Sequence, residues 1–458
     1  MFSIITIAIT GVLLLYLGFL KNRWIYISVA ITGLITALAL SVFSWNSLET
    51  SFSNMLIIDN YAIAFNSVMI FATILIFLLA PHYFKGIEKN VPEIYALLMF
   101  SLAGACMVTS FDNLTMLFIG IETMSIPLYI LAGSKKFSIR SNEASFKYFI
   151  FSSLATAIFL LGITLVYGMV GSFHVGDISN YFTITKEIPS ILKVGIVLLV
   201  ISFGFKIAAV PFHFWAPDVY EGSPTLITAF MATVVKIAGF AAFYKLLSTC
   251  FILVPDSWHH LILGLSVLSL IIGNLAAIKQ KDVKRMLAYS SISHTGFMLF
   301  AILSFNSFSA SSLLYYSFAY ALSTIAAFGV LMVVKNHMSA DGSVQAFEGL
   351  AKKNPILAIV MTISMLSMAG IPITAGFFAK YYIFVSAIQG GWLWIVIIGI
   401  LAALVGVAYY LKLIIAMFAK TSETEKIVTS PLYITSLLVA TVLILIAGVL
   451  PNLIISLI

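Results

Sequence analysis

Apolar stretches of 17 or more residues recur along the whole chain, separated by short polar segments. At 1.5 Å of helical rise per residue, each is long enough to cross a hydrocarbon core of about 30 Å. The runs are apolar all round, whereas barrel strands alternate apolar and polar positions, so the pattern predicts membrane-spanning helices. Spans are expected near residues 3 to 20, 24 to 43, 61 to 81, 93 to 110, 113 to 133, 144 to 169, 191 to 218, 224 to 248, 259 to 279, 283 to 304, 310 to 334, 355 to 389, 392 to 418 and 431 to 449. The fold class is therefore an all-α polytopic membrane protein with about fourteen transmembrane helices.

Composition agrees with that reading. Of 458 residues, 62% are hydrophobic and 9% charged, against roughly 25% charged in soluble domains. The first run starts at Phe2 with no basic residue before it and no small-residue cleavage site after it, so it is expected to be retained as a span. Cys106 and Cys250 are the two cysteines and lie far apart in apolar surroundings. Zinc and iron–sulfur ligation, which need clustered ligands, are excluded. No GxGxxG or GxxxxGK[ST] motif is present, so any coupled nucleotide chemistry belongs to another chain.

The formal charge of +7 is explained by membrane sidedness. With the N-terminus outside, sixteen of the 24 basic residues fall in one set of loops, from Lys21 and Arg23 to Lys420 and Lys426. The opposite loops carry Lys186, Lys193 and Lys245. The asymmetry places the basic loops in the cytoplasm and both termini outside. Five lysines remain inside spans: Lys147, Lys206, Lys236, Lys380 and Lys412. Glu122 is the acidic residue nearest the middle of a span.

Two spans are irregular. Pro211 lies five residues after Lys206 and removes a backbone donor from the seventh. The twelfth, as one straight helix, would be roughly 50 Å long, and Gly370, Pro372 and Gly376 mark where it should break. Breaks at matching places in two sets of five spans fit inverted repeats, because an odd number of spans inverts the second copy. The expected divisions are residues 1–92, three N-terminal spans; 93–250, the first five-helix unit; 259–420, the second; and 421–458, the last span.

A lysine at the bilayer centre costs roughly 2.5 to 3.5 kcal/mol, so it should be paired, functional or able to snorkel. Snorkelling explains Lys412, near a cytoplasmic span end. For Lys147, four residues after Glu143, a helix-surface ion pair and proton uptake are both open. Lys236 has about twelve span residues on each side and cannot reach water cheaply. Lys206 is as deep and adjoins a break, where released carbonyls and water could receive its proton. Lys380 follows the second break and sits nearer the outer face. An unpaired central carboxylate would stay protonated, so Glu122 should have a lysine partner. His294, flanked by Ser290, Ser291, Ser293 and Thr295, suits either a proton relay along a water chain or an ordinary helix hydrogen bond.

Glu122, Lys206 followed by PFHFWAPDVYEGSPT, Lys236, the KRMLAYSSISHTG run and GIPITAGFFAK occur in an order that resembles the antiporter-like subunits of respiratory complex I, the proton-pumping NADH:quinone oxidoreductase. The resemblance covers about residues 90 to 420. Within it, the chain stops nine residues after its fourteenth span, without the long lateral helix of one sibling type. Lys380 stands where another sibling type usually has glutamate, and Thr123 replaces a common leucine beside Glu122. The resemblance implies two inverted five-helix units and one proton-translocating module in a bacterial cytoplasmic membrane. By matching motif, Glu122 and Lys206 would be the acid–lysine pair, Lys236 the central relay and Lys380 the outward terminal site. NADH, FMN, iron–sulfur clusters and quinone would be held on or near other membrane-complex subunits. Competing readings are a subunit of an Mrp-type Na⁺/H⁺ antiporter, a membrane-bound hydrogenase module, or a scaffold that only anchors its partners.

Overall fold

The structure is a computed structural model that describes all residues except 20–22, 85–90, 186–187, 339–341 and 420–425. Of the basic residues used to orient the chain, Lys21, Lys85, Lys89, Lys186 and Lys420 lie outside the described residues.

Every expected span coincides with helix. The first three are α1 (Phe2–Leu17), α2 (Arg23–Phe43) and α3 (Asn60–Tyr83), with a small antiparallel hairpin of β1 (Glu49–Ser51) and β2 (Leu56–Ile58) between the last two. Then come α4 (Val91–Thr109), α5 (Leu114–Ala132), α6 (Ile139–Val170), a short amphipathic α7 (Val175–Ile184), α8 (Ser190–Lys206) and α9 (Trp215–Gly222). The eighth span is α10 (Thr225–Phe230) and α11 (Lys236–Cys250), joined by a π-helical turn over Met231–Val235. A second series follows: α12 (His259–Ile278), α13 (Val283–Ser304), α14 (Ser309–Met338), the single turn α15 (Leu350–Lys353), α16 (Pro355–Ala369), α17 (Ala375–Gln389) and α18 (Leu393–Phe418). The last span is α19 (Pro431–Val449).

Among the described residues, eleven helices are long and apolar enough to cross a membrane on their own. The remaining expected spans are the 16-residue α1 and the two broken ones, α8 with α9 and α16 with α17. Polar caps mark several helix starts, because the first N–H groups have no partner within the helix. Asp59 accepts from Ala62 N, Asn113 from Thr115 N, Asp282 from Arg285 N and Asn354 from Leu357 N.

Burial separates a lipid-facing shell from an interior. The described residues of α10, the π turn and most of α11 and α13 are buried all round. By contrast, α6 and α18 expose apolar side chains such as Leu154 and Leu401. Helices approach closely where a side chain is missing: a Cβ on Gly104 would sit 2.3 Å from Met124 N, so α4 and α5 touch backbone to backbone.

Two expectations are corrected and one is refined. The seventh span is interrupted as expected, but α8 already ends at Lys206, and residues 207–214 are irregular, with Pro211 inside the gap. Its cause is wider than one missing donor, since Ala208 takes a left-handed conformation (φ 56°) that an α-helix cannot continue. Lys245 is not in an outer loop but within α11 and 7% exposed. The sixth span begins at Ile139 and not at 144, because Ser138 caps it and the polar first turns stand clear of the apolar run. The twelfth span breaks where glycine and proline placed it, over residues 370–374.

Candidate functional site

The deep charged residues gather along the buried interior. Lys206, the last residue of α8, donates to Ser125 Oγ on α5, and Glu122, one turn earlier on α5, accepts from Thr156 Oγ1 on α6 at 2.7 Å. Among the described ion pairs none joins Glu122 to Lys206, although the carboxylate is the charge that acts on the lysine. The two are therefore neighbours whose first contacts are hydroxyls. A cavity of about 10 Å³ lined by Lys206, Thr156 and Ser202 adjoins them, close to the room one water needs.

The carbonyls freed at the first break do not go to Lys206. Ala209 N takes Gly204 O, Trp215 Nε1 takes Phe205 O, and Thr295 Oγ1 takes Ile207 O at 2.9 Å. The expected lysine-to-carbonyl contact occurs at the second break instead. There Lys380 reaches back from α17 to Met368 O at 3.0 Å and Ala369 O at 2.7 Å, the C-terminal carbonyls of α16. A cation at a helix C-terminus is favoured by the dipole and by unpaired carbonyls.

Lys236 is 3% exposed and donates to Ser291 O at 2.6 Å, to Ser291 Oγ and to Thr295 Oγ1 at 3.0 Å. The Tyr320 ring centre is 5.8 Å away. Since Thr295 also holds Ile207 O, one hydroxyl links Lys236 to the residue following Lys206.

His294 has a tyrosine hydroxyl at each ring nitrogen, Tyr316 at 2.6 Å from Nδ1 and Tyr410 at 3.2 Å from Nε2. A phenol both donates and accepts, so either imidazole tautomer is satisfied. The serines around His294 have protein partners of their own. Ser290 pairs with Tyr410, Ser293 with Asn274, and Ser291 with Lys236. His294 and Lys380 share a cavity of about 10 Å³.

Lys147 makes the expected ion pair with Glu143 at 2.6 Å and a second with Asp218 at 2.7 Å. Arg285 bridges Asp218 at 2.9 Å and Glu221 at 2.5 Å. These groups line an open polar cleft of about 200 Å³. Asp218 and Glu221 were visible in the DVYEG part of the motif after Pro211, three residues apart as on one helix face. Thr156, Tyr316 and Tyr410 carried no comparable signal. Pro211 and Pro372 lie in the gaps of the broken spans.

A polytopic helical bundle with two interrupted spans and a file of buried lysines defines an ion-translocating membrane protein class. The chain matches the family model described as "NADH:quinone oxidoreductase/Mrp antiporter, TM" over residues 112–406, and it belongs to that family. It is 42% identical to NADH-quinone oxidoreductase subunit N of Cytophaga hutchinsonii, over 99% of this chain and 98% of that protein. A chain of respiratory complex I from Thermus thermophilus, solved with bound aureothin, is 32% identical with a TM-score of 0.85, covering 99% of this chain and 98% of that one. A chain of the Mrp complex from Dietzia sp. superimposes with a TM-score of 0.87 over 99% of this chain and 95% of that one; at 19% identity it shows the shared fold alone.

Proposed function

We propose that this chain is the subunit N type of proton-translocating membrane-arm subunit in a bacterial NADH:quinone oxidoreductase. It works as a non-redox module, with NADH, FMN, iron–sulfur clusters and quinone held on or near other subunits. Relatives of that name at 42% and 39% identity over nearly the whole chain support the assignment.

The observation that carries the mechanism is Lys236. It is buried, held by neutral oxygens, and has no carboxylate within ion-pair distance among the described residues. A permanently charged lysine in such a place is expensive, whereas one that gains and loses a proton is not. Protons enter at the Lys147, Asp218 and Arg285 cleft, which the basic loops place on the cytoplasmic side. Glu122 sets the affinity of Lys206 electrostatically, Lys236 relays through the Thr295 hydroxyl, and His294 passes the proton to Lys380 toward the outer side. Residues 93–250 and 259–420 are the two inverted units, each with one broken span and one deep lysine beside the break.

The energetics are sufficient. One pKa unit is about 1.4 kcal/mol and a charge crossing 100 mV of membrane potential requires about 2.3 kcal/mol. A swing of about two units between loaded and released states matches that load.

Lys236→Met is expected to give an assembled complex that has lost most NADH-driven proton uptake in inverted membrane vesicles. Wild-type uptake per assembled complex would overturn the relay, and would favour the scaffold reading.

A further inference from the structure

Lys245 is a buried lysine that the proposed route does not use. It lies nine residues after Lys236 on α11, about 13.5 Å further along the axis, and is 7% exposed. Its ammonium nitrogen has no hydrogen-bond partner among the described residues and sits 5.5 Å from the Phe111 ring centre. A cation over an aromatic face is only partly compensated.

Phe111, whose ring the ammonium faces, directly precedes Asp112 in the chain, and Asp112 and Asp59 are carboxylates whose charge acts on Lys245. Both are half-buried and lie at helix starts on the side that the basic-loop asymmetry assigns to the exterior. Asp112 also feels His174, whose strand-like bridge to Asn113 fixes it beside the α4–α5 turn. Burial holds the Asp112 carboxyl above its ordinary range, with Lys245 and His174 pulling it down.

We propose that Lys245, with Asp112 and Asp59, is an outward proton-release station of the first five-helix unit, serving protons that do not travel through His294 and Lys380. A protonated Lys245 gives its proton to the Asp112 carboxylate and becomes a neutral amine, which the next proton moving outward through the first unit reloads, and Asp112 returns its proton to the outer solution. An ammonium without a fixed partner, next to half-exposed carboxylates, suits release better than a structural ion pair, which would be hydrogen-bonded.

This inference rests on the proton-translocating reading above. The test compares Lys245→Met, Lys245→Arg and Asp112→Asn with Lys236→Met, measuring NADH-driven proton uptake in inverted vesicles per assembled complex. Release requires a proton that leaves, and arginine keeps its charge at all accessible pH. Lys245→Met and Lys245→Arg should therefore both lose uptake, by up to about half while the Lys380 exit remains, and Asp112→Asn, at a half-exposed site, should lose a similar share while assembling normally. Wild-type uptake with Lys245→Arg would mean that only a fixed positive charge is needed and would overturn the station, as would wild-type uptake in Asp112→Asn. Normal uptake in Lys236→Met would instead overturn the underlying translocation reading.

Discussion

Two hydroxyl contacts determine how the carboxylate at residue 122 can speak to the lysine at 206. Thr156 orients Glu122, and Ser125 holds Lys206 one turn away on the same helix. Because no direct ion pair fixes the geometry, the interaction is a Coulomb coupling that falls only in proportion to distance. Glu122→Gln keeps size and hydrogen bonding but removes charge, so it should behave like Glu122→Ala, lowering proton uptake about tenfold or more, the equivalent of one pKa unit. Glu122→Asp retains the charge slightly further back and should keep part of the activity. Glutamine performing as well as aspartate would rule the electrostatic role out. Of these residues, Glu122 and Lys206 were legible in the sequence because a charge inside an apolar run is an exception that needs a cause. Thr156 and Ser125 were not, since a hydroxyl in a membrane helix can satisfy itself on its own backbone, as Ser125 does on Ile121 O.

At the scale of the element, the second break works because two half-helices meet without a side chain between them. A Cβ on Gly376 would lie 1.7 Å from Ser367 O, and Gly376 is one turn before Lys380. Gly376→Ala must therefore push α17 away from α16 and pull the ammonium off Met368 and Ala369. Overpacking of this kind typically costs about 1–3 kcal/mol. The variant should assemble with a lowered thermal midpoint and lose proton uptake, as Lys380→Met should; an unchanged midpoint and unchanged uptake would show that the close approach has no functional weight. Glycine and proline announced this break in the sequence. The first break was announced less fully: Pro211 gave its neighbourhood, but the helix stops at Lys206 because of the left-handed turn at Ala208 and the side-chain ties from Ser269 and Thr295. The π turn that precedes Lys236 had no sequence signature at all.

For the whole molecule, the asymmetry of basic loops predicts the orientation. Thr50→Cys, in the hairpin before α3, should be labelled from outside by an impermeant thiol reagent, and Ser134→Cys, in the turn before α6, should not. Both positions are exposed and both native cysteines are buried, so background labelling should be small. External labelling of Ser134→Cys alone would invert the topology and with it the assignment of the Lys147 cleft and of Lys245 to opposite sides. The sequence by itself determined the helical class, the spans, the broken seventh and twelfth segments and the deep lysines, because a bilayer penalises each polar residue and each unpaired backbone group where it stands. That penalty is local, so it can be read one residue at a time. Which hydroxyl meets which ammonium was decided only by the tertiary structure: it depends on how each helix is rotated and how closely it packs. Around Glu122, Lys206 and His294, packing placed serine, threonine and tyrosine hydroxyls that no spacing announced. The same packing drew Lys245 out of its supposed loop into the interior, a change that no count of charges along the chain could register.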